Sequence, residues 1–258
     1  METDQLGTLF DGVRVLSFDC YGTLIDWETG ILAALASLRA RAERAPSDDD
    51  VLEAFAAHEA RLERDHPKER YPAILERVAQ GLAHDWMVAT VPDEVREFGR
   101  SVAQWPAFPD SPDALAYLHQ HFALVVLSNV DRASFASSNL RLGVQFDQVC
   151  TAEDVGSYKP APQNFQYLLD RVAMMGYARR ELLHVAQSLY HDHAPAHAFG
   201  IRTAWIDRRA HRPGFGATPQ PPSQAQYDAR FTALEQFASA HRQYIETLTA
   251  ADSTRGQS

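Results

Sequence analysis

The chain has 258 residues, of which 45% are hydrophobic and 22% are charged, a composition typical of a folded globular protein rather than a disordered or fibrous one. Its 24 basic and 34 acidic side chains give a formal net charge of −10, which argues against a surface built to bind nucleic acid or anionic lipid. The two cysteines, Cys20 and Cys150, cannot form a disulfide framework. Because the N-terminus lacks a signal-peptide pattern and no apolar run is long enough to cross a bilayer, the sequence predicts a soluble, cytoplasmic protein with no membrane partner.

The first predicted element is a short buried strand over Val13–Asp19, which ends in a turn at Gly22. The long segment that follows shows no strand pattern, and its apolar residues recur three or four positions apart, as in amphipathic helices. We therefore predict an all-helical cap inserted over residues 27–105. Residues 1–26 and 106–258 are predicted to form the core domain.

Beyond the insertion, apolar runs alternate with helical patterns. We predict strands over Phe122–Asn129, Leu182–Ser188 and Ile201–Asp207, and helices over Asp110–Gln120, Asp131–Leu142, Asn164–Met175, Asp192–Phe199 and Thr232–Leu248. The strands are continuously apolar rather than alternating, which is typical of parallel strands covered on both faces. The sequence therefore predicts an α/β fold, a Rossmann-like doubly wound parallel sheet with the helical cap inserted after its first strand.

A stretch rich in proline, glycine and basic residues, 208–226, is predicted to be a loop. Its basic residues are expected to lie in solvent or, as a second interpretation, to add positive potential at the mouth of the pocket; they are Arg208, Arg209, His211 and Arg212.

Polar residues follow the predicted strands, at the edge where open parallel sheets bind their ligands. These residues are Asp19, Tyr21 and Thr23 after the first strand, Ser128 and Asn129 after the second, and Gln187, Ser188 and Asp192 after the third, with Lys159 on a loop between them. A carboxylate held near a lysine stays ionised and can act as a nucleophile, while hydroxyl and amide groups can hold a substrate anion. A second carboxylate, Asp192, could orient the lysine or activate a water. The pattern predicts covalent catalysis by Asp19.

Simpler interpretations exist for each of these residues taken singly. An aspartate at a strand end often only caps a turn, and a lysine before a proline is usually solvated. Ser128 and Asn129 could cap the helix that begins near Asp131. His193 and His197 are four positions apart, as metal ligands on a helix can be, but no third ligand accompanies them, so we predict surface or helix-end histidines and no metal site.

Four short motifs together resemble those of the haloacid dehalogenase superfamily. They are DCYGT at 19–23, SN at 128–129, YKP at 158–160 and VAQSLYHD at 185–192, in the same order and with similar spacing along nearly the whole chain. The resemblance is closest to the type II 2-haloacid dehalogenases. It implies a hydrolase with a Rossmann-like core, a helical cap and Asp19 as the nucleophile.

Two positions separate dehalogenases from phosphatases within this resemblance. Phosphatase members have a second aspartate where this chain has Tyr21, and that aspartate protonates the leaving oxygen. A phenol is a poor proton donor at neutral pH, whereas a halide needs no proton to leave. Phosphatases also bind Mg²⁺ through an acidic pair whose first member is Gln187 here, and an amide is a weaker ligand for a hard cation. We therefore predict a metal-free dehalogenase, with Mg²⁺ needed only under the phosphatase alternative.

The resemblance implies that Asp19 displaces halide from a short 2-haloalkanoate and that water hydrolyses the resulting ester. Lys159 and Asp192 would be the other catalytic residues, and the residues binding the substrate or fixing the nucleophile would be Thr23, Tyr21, Ser128, Asn129 and Ser188. Which residue receives the halide is left open among Arg61, Arg64 and Trp27. Two alternative functions stay open, a phosphatase and a non-catalytic binding module on the same fold. The sequence also leaves open whether the protein forms a homodimer.

Overall fold

The computed structural model describes residues 3–221 and 225–255. In this part of the chain, six strands form one parallel sheet in the order β3-β2-β1-β4-β5-β6. The strands are β1 Val15–Phe18, β2 Ala123–Ser128, β3 Gln148–Thr151, β4 Leu182–Ala186, β5 Arg202–Ile206 and β6 Ala229–Phe231. The predicted doubly wound α/β sheet is confirmed.

Twelve α-helices of the described residues accompany the sheet. They are α1 Thr3–Phe10, α2 Trp27–Ala34, α3 Ala36–Ala40, α4 Asp48–Asp65, α5 Tyr71–Asp85, α6 Pro92–Arg100, α7 Ser111–Leu118, α8 Arg132–Leu142, α9 Ala152–Val155, α10 Pro162–Met174, α11 Ala194–Ala198 and α12 Leu234–Arg255. Two 3₁₀ turns, Ser101–Gln104 and Arg179–Glu181, and one π-helical turn, Leu189–His193, complete the set.

The strand order reverses at β1, because the chain moves to one side through β2 and β3 and then returns to the other side at β4. Ligands of open parallel sheets bind at such a reversal, beyond the carboxyl ends of the strands. Buried side chains fill β1 and β4 on both faces, as the continuously apolar pattern predicted. The fold therefore places the residues that follow β1, β2 and β4 at one edge.

The segment between β1 and β2 contains helices α2 to α6 and the 3₁₀ turn up to Gln104, followed by α7 before β2. These helices agree with the predicted helical insertion. The division of the chain into a separate cap domain over 27–105 stays a prediction. Helix α4 begins with a capping box in which Ser47 and Asp50 satisfy each other's backbone amides. Its buried face combines apolar residues with two acids; the residues are Val51, Leu52, Phe55, Ala56, Glu59, Leu62 and Glu63.

The expectation that the basic residues after β5 lie in solvent is confirmed for His211 and Arg212, which are exposed, and is wrong for Arg208 and Arg209. The Arg208 guanidinium donates to both carboxylate oxygens of Asp110 at 2.9 Å. Arg209, 8% exposed, pairs with Glu28 at 2.6 Å and with Asp49 at 2.9 Å, both in the helical insertion. The two ion pairs of Arg209 join the loop to the insertion, while that of Arg208 joins it to the core, which a composition-based interpretation of the loop could not show.

Candidate active site

Asp19 lies directly beyond β1 and is 6% exposed. Its backbone N–H donates to the Val185 carbonyl at 3.1 Å, so the chain still follows β4 at this residue. Thr23 Oγ1 donates to Asp19 Oδ2 at 2.7 Å and accepts the backbone N–H of Gln187 at 2.8 Å. Because the Gln187 amide can only donate, the Thr23 proton points at the carboxylate and fixes its orientation.

The ammonium of Lys159, which is 2% exposed, joins the two aspartates. Nζ donates to Asp19 Oδ1 at 2.9 Å, to Asp192 Oδ1 at 2.7 Å and to the Leu127 carbonyl at 3.0 Å. An ammonium has three N–H donors, so all of them are engaged. The structure thus brings together the three residues predicted to be catalytic, and the alternative of a solvated lysine is wrong.

The ionisation of the three groups follows from burial and from this pairing. Burial alone would lower the pKa of Lys159, but Asp19 and Asp192 outweigh it and raise that pKa above its ordinary value. Burial opposes ionisation of Asp192, yet Lys159 and the imidazole of His184, 3.0 Å away, hold its pKa below the usual range. For Asp19, burial raises the pKa and Lys159 only partly opposes the effect. Asp192 is therefore the more firmly ionised of the two carboxylates.

Asn129 holds the backbone of Lys159 from both sides. Its Oδ1 accepts the Lys159 backbone N–H at 2.6 Å, and its Nδ2 donates to the Lys159 carbonyl at 3.0 Å. The same Nδ2 is 3.1 Å from Glu63 Oε2 on helix α4. Helix α8 is capped instead by Asp131, which accepts the N–H groups of Ala133 and Ser134, so the helix-capping alternative for Ser128 and Asn129 is wrong.

A cavity of about 30 Å³ lies above Asp19, and residues of the helical insertion line one side of it. This volume holds roughly two water molecules, so only a small substrate fits while the insertion stays in place. A second cavity of about 290 Å³ adjoins it and shares Glu63, Lys159 and His191 as lining residues. These three side chains form the partition between the inner and the outer cavity.

The five predicted substrate-contacting residues occupy different places. Tyr21, Asn129 and Ser188 line the inner cavity, while Thr23 only supports Asp19. The Tyr21 hydroxyl is 2.8 Å from Ser138 Oγ and is thus already engaged. Ser128 Oγ is buried without a hydrogen-bond partner among the described residues, but Ser128 does not line the inner cavity. Their roles in binding remain predictions.

The halide acceptor that the sequence left open has one candidate at the cavity. Trp27 lines it, packed so tightly on Gly22 that a Cβ there would lie 2.9 Å from the indole Nε1. Gly22 has φ +88°, which also favours glycine. Arg61 is exposed, and Arg64 lines only the outer cavity. No arginine of the described chain lines the inner cavity.

Four lining residues were missed by the motif-based interpretation: Glu59, Glu63, Tyr71 and His191. Tyr71 donates to Glu59 Oε1 at 2.6 Å, and burial raises the pKa of Glu59 to about 8. Burial also raises the pKa of Glu63 well above its ordinary range, with Glu59 adding to the effect. Burial lowers the pKa of His191 to about 4, so this imidazole is neutral. The signal in the sequence was the presence of two acids on the apolar face of α4.

The histidine pair does not form a common site. His193 is fully buried, and its ring nitrogens bond to Thr203 Oγ1 and the Ala186 carbonyl at 2.9 Å each, whereas His197 is exposed. The expectation of surface or helix-end histidines fits both residues, since His193 ends the π-helical turn, buried against β5, and His197 is exposed on α11. Over residues 3–221 and 225–255, no group of three or more His, Cys, Asp and Glu residues is arranged to hold a metal ion.

Comparison with known proteins identifies the family. Residues 13–186 match the family of haloacid dehalogenase-like hydrolases, and the chain belongs to that family. No curated protein sequence matches it. None of the described helices has the length and apolar character needed to span a membrane.

Three solved structures show the same fold at low sequence identity. The L-2-haloacid dehalogenase from Xanthobacter autotrophicus with chloropropionic acid covalently bound is 17% identical, with a TM-score of 0.72 over 89% of this chain and 98% of the other. The defluorinating L-2-haloacid dehalogenase Rha0230 is 22% identical, with a TM-score of 0.69 over 89% and 95%. The magnesium-bound YfnB from Bacillus subtilis is 17% identical, with a TM-score of 0.69 over 87% and 96%.

Proposed function

We propose that this chain is a 2-haloacid dehalogenase that hydrolyses a short 2-haloalkanoate through an ester on Asp19. The observation that carries the proposal is the buried ammonium of Lys159, which bridges Asp19 and Asp192 beneath a small cavity. Each Asp19 oxygen accepts one hydrogen bond and keeps a lone pair for attack. Such an oriented carboxylate is a nucleophile of the kind that covalent hydrolases use.

In the first step, an Asp19 oxygen attacks C2 of the substrate as the carbon–halogen bond breaks, and halide leaves with the bonding electron pair. In the second step, water attacks Asp19 Cγ and the ester bond from Cγ breaks. The 2-hydroxy acid leaves with one proton of that water, and the other proton passes to solvent as Asp19 returns to the carboxylate. Lys159 stabilises the negative charge that develops on the attacked ester.

The environment of Tyr21 favours dehalogenation over phosphate-ester hydrolysis. Its hydroxyl is engaged with Ser138, and burial raises the pKa of the phenol well above its ordinary value. A group this reluctant to give up a proton is a poor donor to a leaving oxygen. A halide leaves without one.

The donor set does not fit the Mg²⁺ that a phosphatase of this fold would need. Lys159 already sits between the two aspartates, and the amide oxygen of Gln187 lies 3.2 Å from Thr218 Oγ1, whose hydroxyl can donate to it. We therefore propose a reaction that needs no metal. Activity that survives dialysis against EDTA is the expected result.

The substrate carboxylate requires donors other than Lys159, whose three N–H groups are occupied. Ser188 is the candidate that lines the cavity, whereas Ser128, whose buried hydroxyl has no partner among the described residues, does not line it. The Ser188 hydroxyl accepts the backbone N–H of His191 at 2.8 Å and lies 3.1 Å from His191 Nδ1, so its proton is available to a substrate in the tautomer that carries a hydrogen on Nδ1.

The test is to assay purified protein for halide release from 2-chloropropionate and fluoroacetate, and separately for phosphate release from a phosphate monoester with Mg²⁺. We expect halide release that Asp19→Asn abolishes and that Asp113→Asn, an exposed control on α7, leaves intact. Phosphate release without halide release would contradict the proposal in favour of a phosphatase. No turnover with either substrate class would favour a binding module on the same fold.

A further inference from the structure

The helical insertion presents two acids, rather than an arginine, to the cavity above Asp19. Glu59 and Glu63 are 2% and 3% exposed, lie one helical turn apart on α4 and line the cavity. Glu63 Oε1 is buried and has no hydrogen-bond partner among the described residues. An unpaired carboxyl oxygen of this kind is costly to bury unless a ligand completes its bonding.

The geometry of displacement at carbon decides which part of the substrate meets these acids. The attacking oxygen and the leaving atom stand on opposite sides of the reacting carbon. Asp19 attacks from the sheet, so the leaving atom points towards the insertion. Lys159 is on the sheet side and has no free N–H. A donor for the leaving atom must therefore come from the insertion.

The candidates on the insertion side are few. Tyr71 donates its hydroxyl hydrogen to Glu59 Oε1 at 2.6 Å, so that hydrogen is already engaged. Glu59 and Trp27 also line the cavity from the insertion. Of these groups on the insertion side, Glu63 is the one with a fully buried carboxyl oxygen that lacks a partner among the described residues, so its bonding is the one that a halide would complete.

We propose that Glu63, as a neutral carboxylic acid, donates the hydrogen bond that receives the departing halide. This inference rests on the proposed dehalogenase function and names the residue that the sequence left open. The carbon–halogen bonding pair leaves with the halide, and Glu63 keeps its proton, so no charge is added to the glutamate in the step.

The position of the proton follows from the partner of each oxygen. Asn129 Nδ2 can only donate, so Glu63 Oε2 acts as the acceptor, and the acid proton belongs on the free Oε1. Burial raises the pKa of Glu63, which keeps it neutral. The titratable groups that face Glu63 are Glu59, Tyr71, Tyr158, Lys159 and His191. Of these groups, only Lys159 favours the ionised form of Glu63, and the charge of Lys159 is already shared by Asp19 and Asp192.

If Glu63 is a neutral O–H donor, the effect of removing it should depend on which halide leaves. Fluoride is the strongest hydrogen-bond acceptor among the halides and the poorest leaving group, so it depends most on this donor. Loss of the Glu63 proton should therefore slow release of fluoride more than release of bromide. A residue with only a structural role would slow both equally.

The experiment compares wild type, Glu63→Gln and Glu63→Ala with 2-fluoropropionate and 2-bromopropionate between pH 6 and 10. We expect Glu63→Gln, whose amide N–H₂ is a permanent donor, to stay within about tenfold of wild type and to lose the alkaline fall in kcat that ionisation of Glu63 produces. Glu63→Ala should lose about 10- to 100-fold with the fluoro substrate, as for a hydrogen bond to a charged group, and less with the bromo substrate. Glu53→Gln, an exposed site on the same helix, is the matched control.

Three results overturn the inference. They are an alkaline fall in kcat that is the same in Glu63→Gln as in wild type, equal losses with both halogens in Glu63→Ala, and a wild-type rate that rises through the alkaline range, which would make ionised Glu63 a base. A readout without turnover separates failure of this inference from failure of the proposed function. Bromide should quench the part of the tryptophan fluorescence that is lost in Trp27→Phe, at pH 6 in wild type and Glu63→Gln but not in Glu63→Ala, and absence of this quenching in wild type contradicts the inference.

Discussion

Replacing Glu59 by glutamine should make the protein more stable, and increasingly so as the pH rises. Glu59 is 2% exposed and accepts a hydrogen bond from Tyr71, which the amide oxygen of glutamine can accept equally well. Burial raises the pKa of this carboxyl to about 8 in the folded state, against 4.5 in its unperturbed form. Between these values the folded state binds more protons than the unfolded state, so the free energy of unfolding of the wild type falls as pH increases.

The magnitude follows from the size of the shift. Each pH unit in this range removes about 1.4 kcal/mol, so the step from pH 6 to pH 8 removes about 2 to 3 kcal/mol from the wild type and nothing from Glu59→Gln through this group. For a chain of this length, that difference corresponds to about 4 to 12 °C in Tm. A partial opening of the insertion would let water reach ionised Glu59 and would make the loss of stability smaller. The upper end of the Tm range therefore applies when the insertion keeps its place on the core.

The assay is thermal denaturation of wild type and Glu59→Gln at pH 6, 7 and 8, with Glu53→Gln as the control because residue 53 is exposed on the same helix. We expect the Tm difference between Glu59→Gln and wild type to widen with pH. The Tm difference between the control and wild type should be the same at all three pH values. A constant difference at all three pH values would refute the assignment of a buried, protonated Glu59.

Three further changes test other parts of the site. Lys159→Met leaves two buried carboxylates without a cation, so we expect loss of activity and about 3 to 5 kcal/mol lower stability in urea; a fully stable variant would contradict the buried pairing. Thr23→Val removes a hydrogen bond that favours ionised Asp19, so the acid limb of the pH–rate profile should move to higher pH, and a limb that stays in place speaks against Asp19 as the titrating nucleophile. Arg209→Ala breaks the ion pairs between the basic loop and the insertion, and should increase hydrogen exchange in α2 and the start of α4 but not in the sheet; unchanged exchange would show that the loop does not hold the insertion.

The sequence was sufficient to predict the central strands and the elements that follow them. Strands β1, β2, β4 and β5 are almost entirely buried, so their apolar runs are continuous and conspicuous. The short strands β3 and β6 were missed, because polar residues interrupt them and too few residues remain to show a period. Helix α1 was also missed, since its sequence precedes the first strand without a capping signal that stands out.

The catalytic candidates were predictable for a topological reason. Asp19, Lys159 and Asp192 are far apart in the chain, but parallel strands bring their carboxyl ends to one edge of the sheet. No such topological rule fixes which side chains of the insertion line the cavity. Which face of α4 meets the cavity depends on how the insertion packs on the core, so Glu59 and Glu63 could be recognised only as acids in an apolar stripe.

The central claim is that Asp19 forms a covalent ester, and a single turnover in ¹⁸O-labelled water with enzyme in excess over 2-chloropropionate tests it most directly. Since water attacks Cγ of the ester, the label should enter the carboxylate of Asp19, and mass spectrometry of the peptide that contains it should show the gain. The product hydroxyl should carry the unlabelled oxygen of the original carboxylate. Label in the product hydroxyl and none in Asp19 would show direct attack of water on the substrate and would contradict the account.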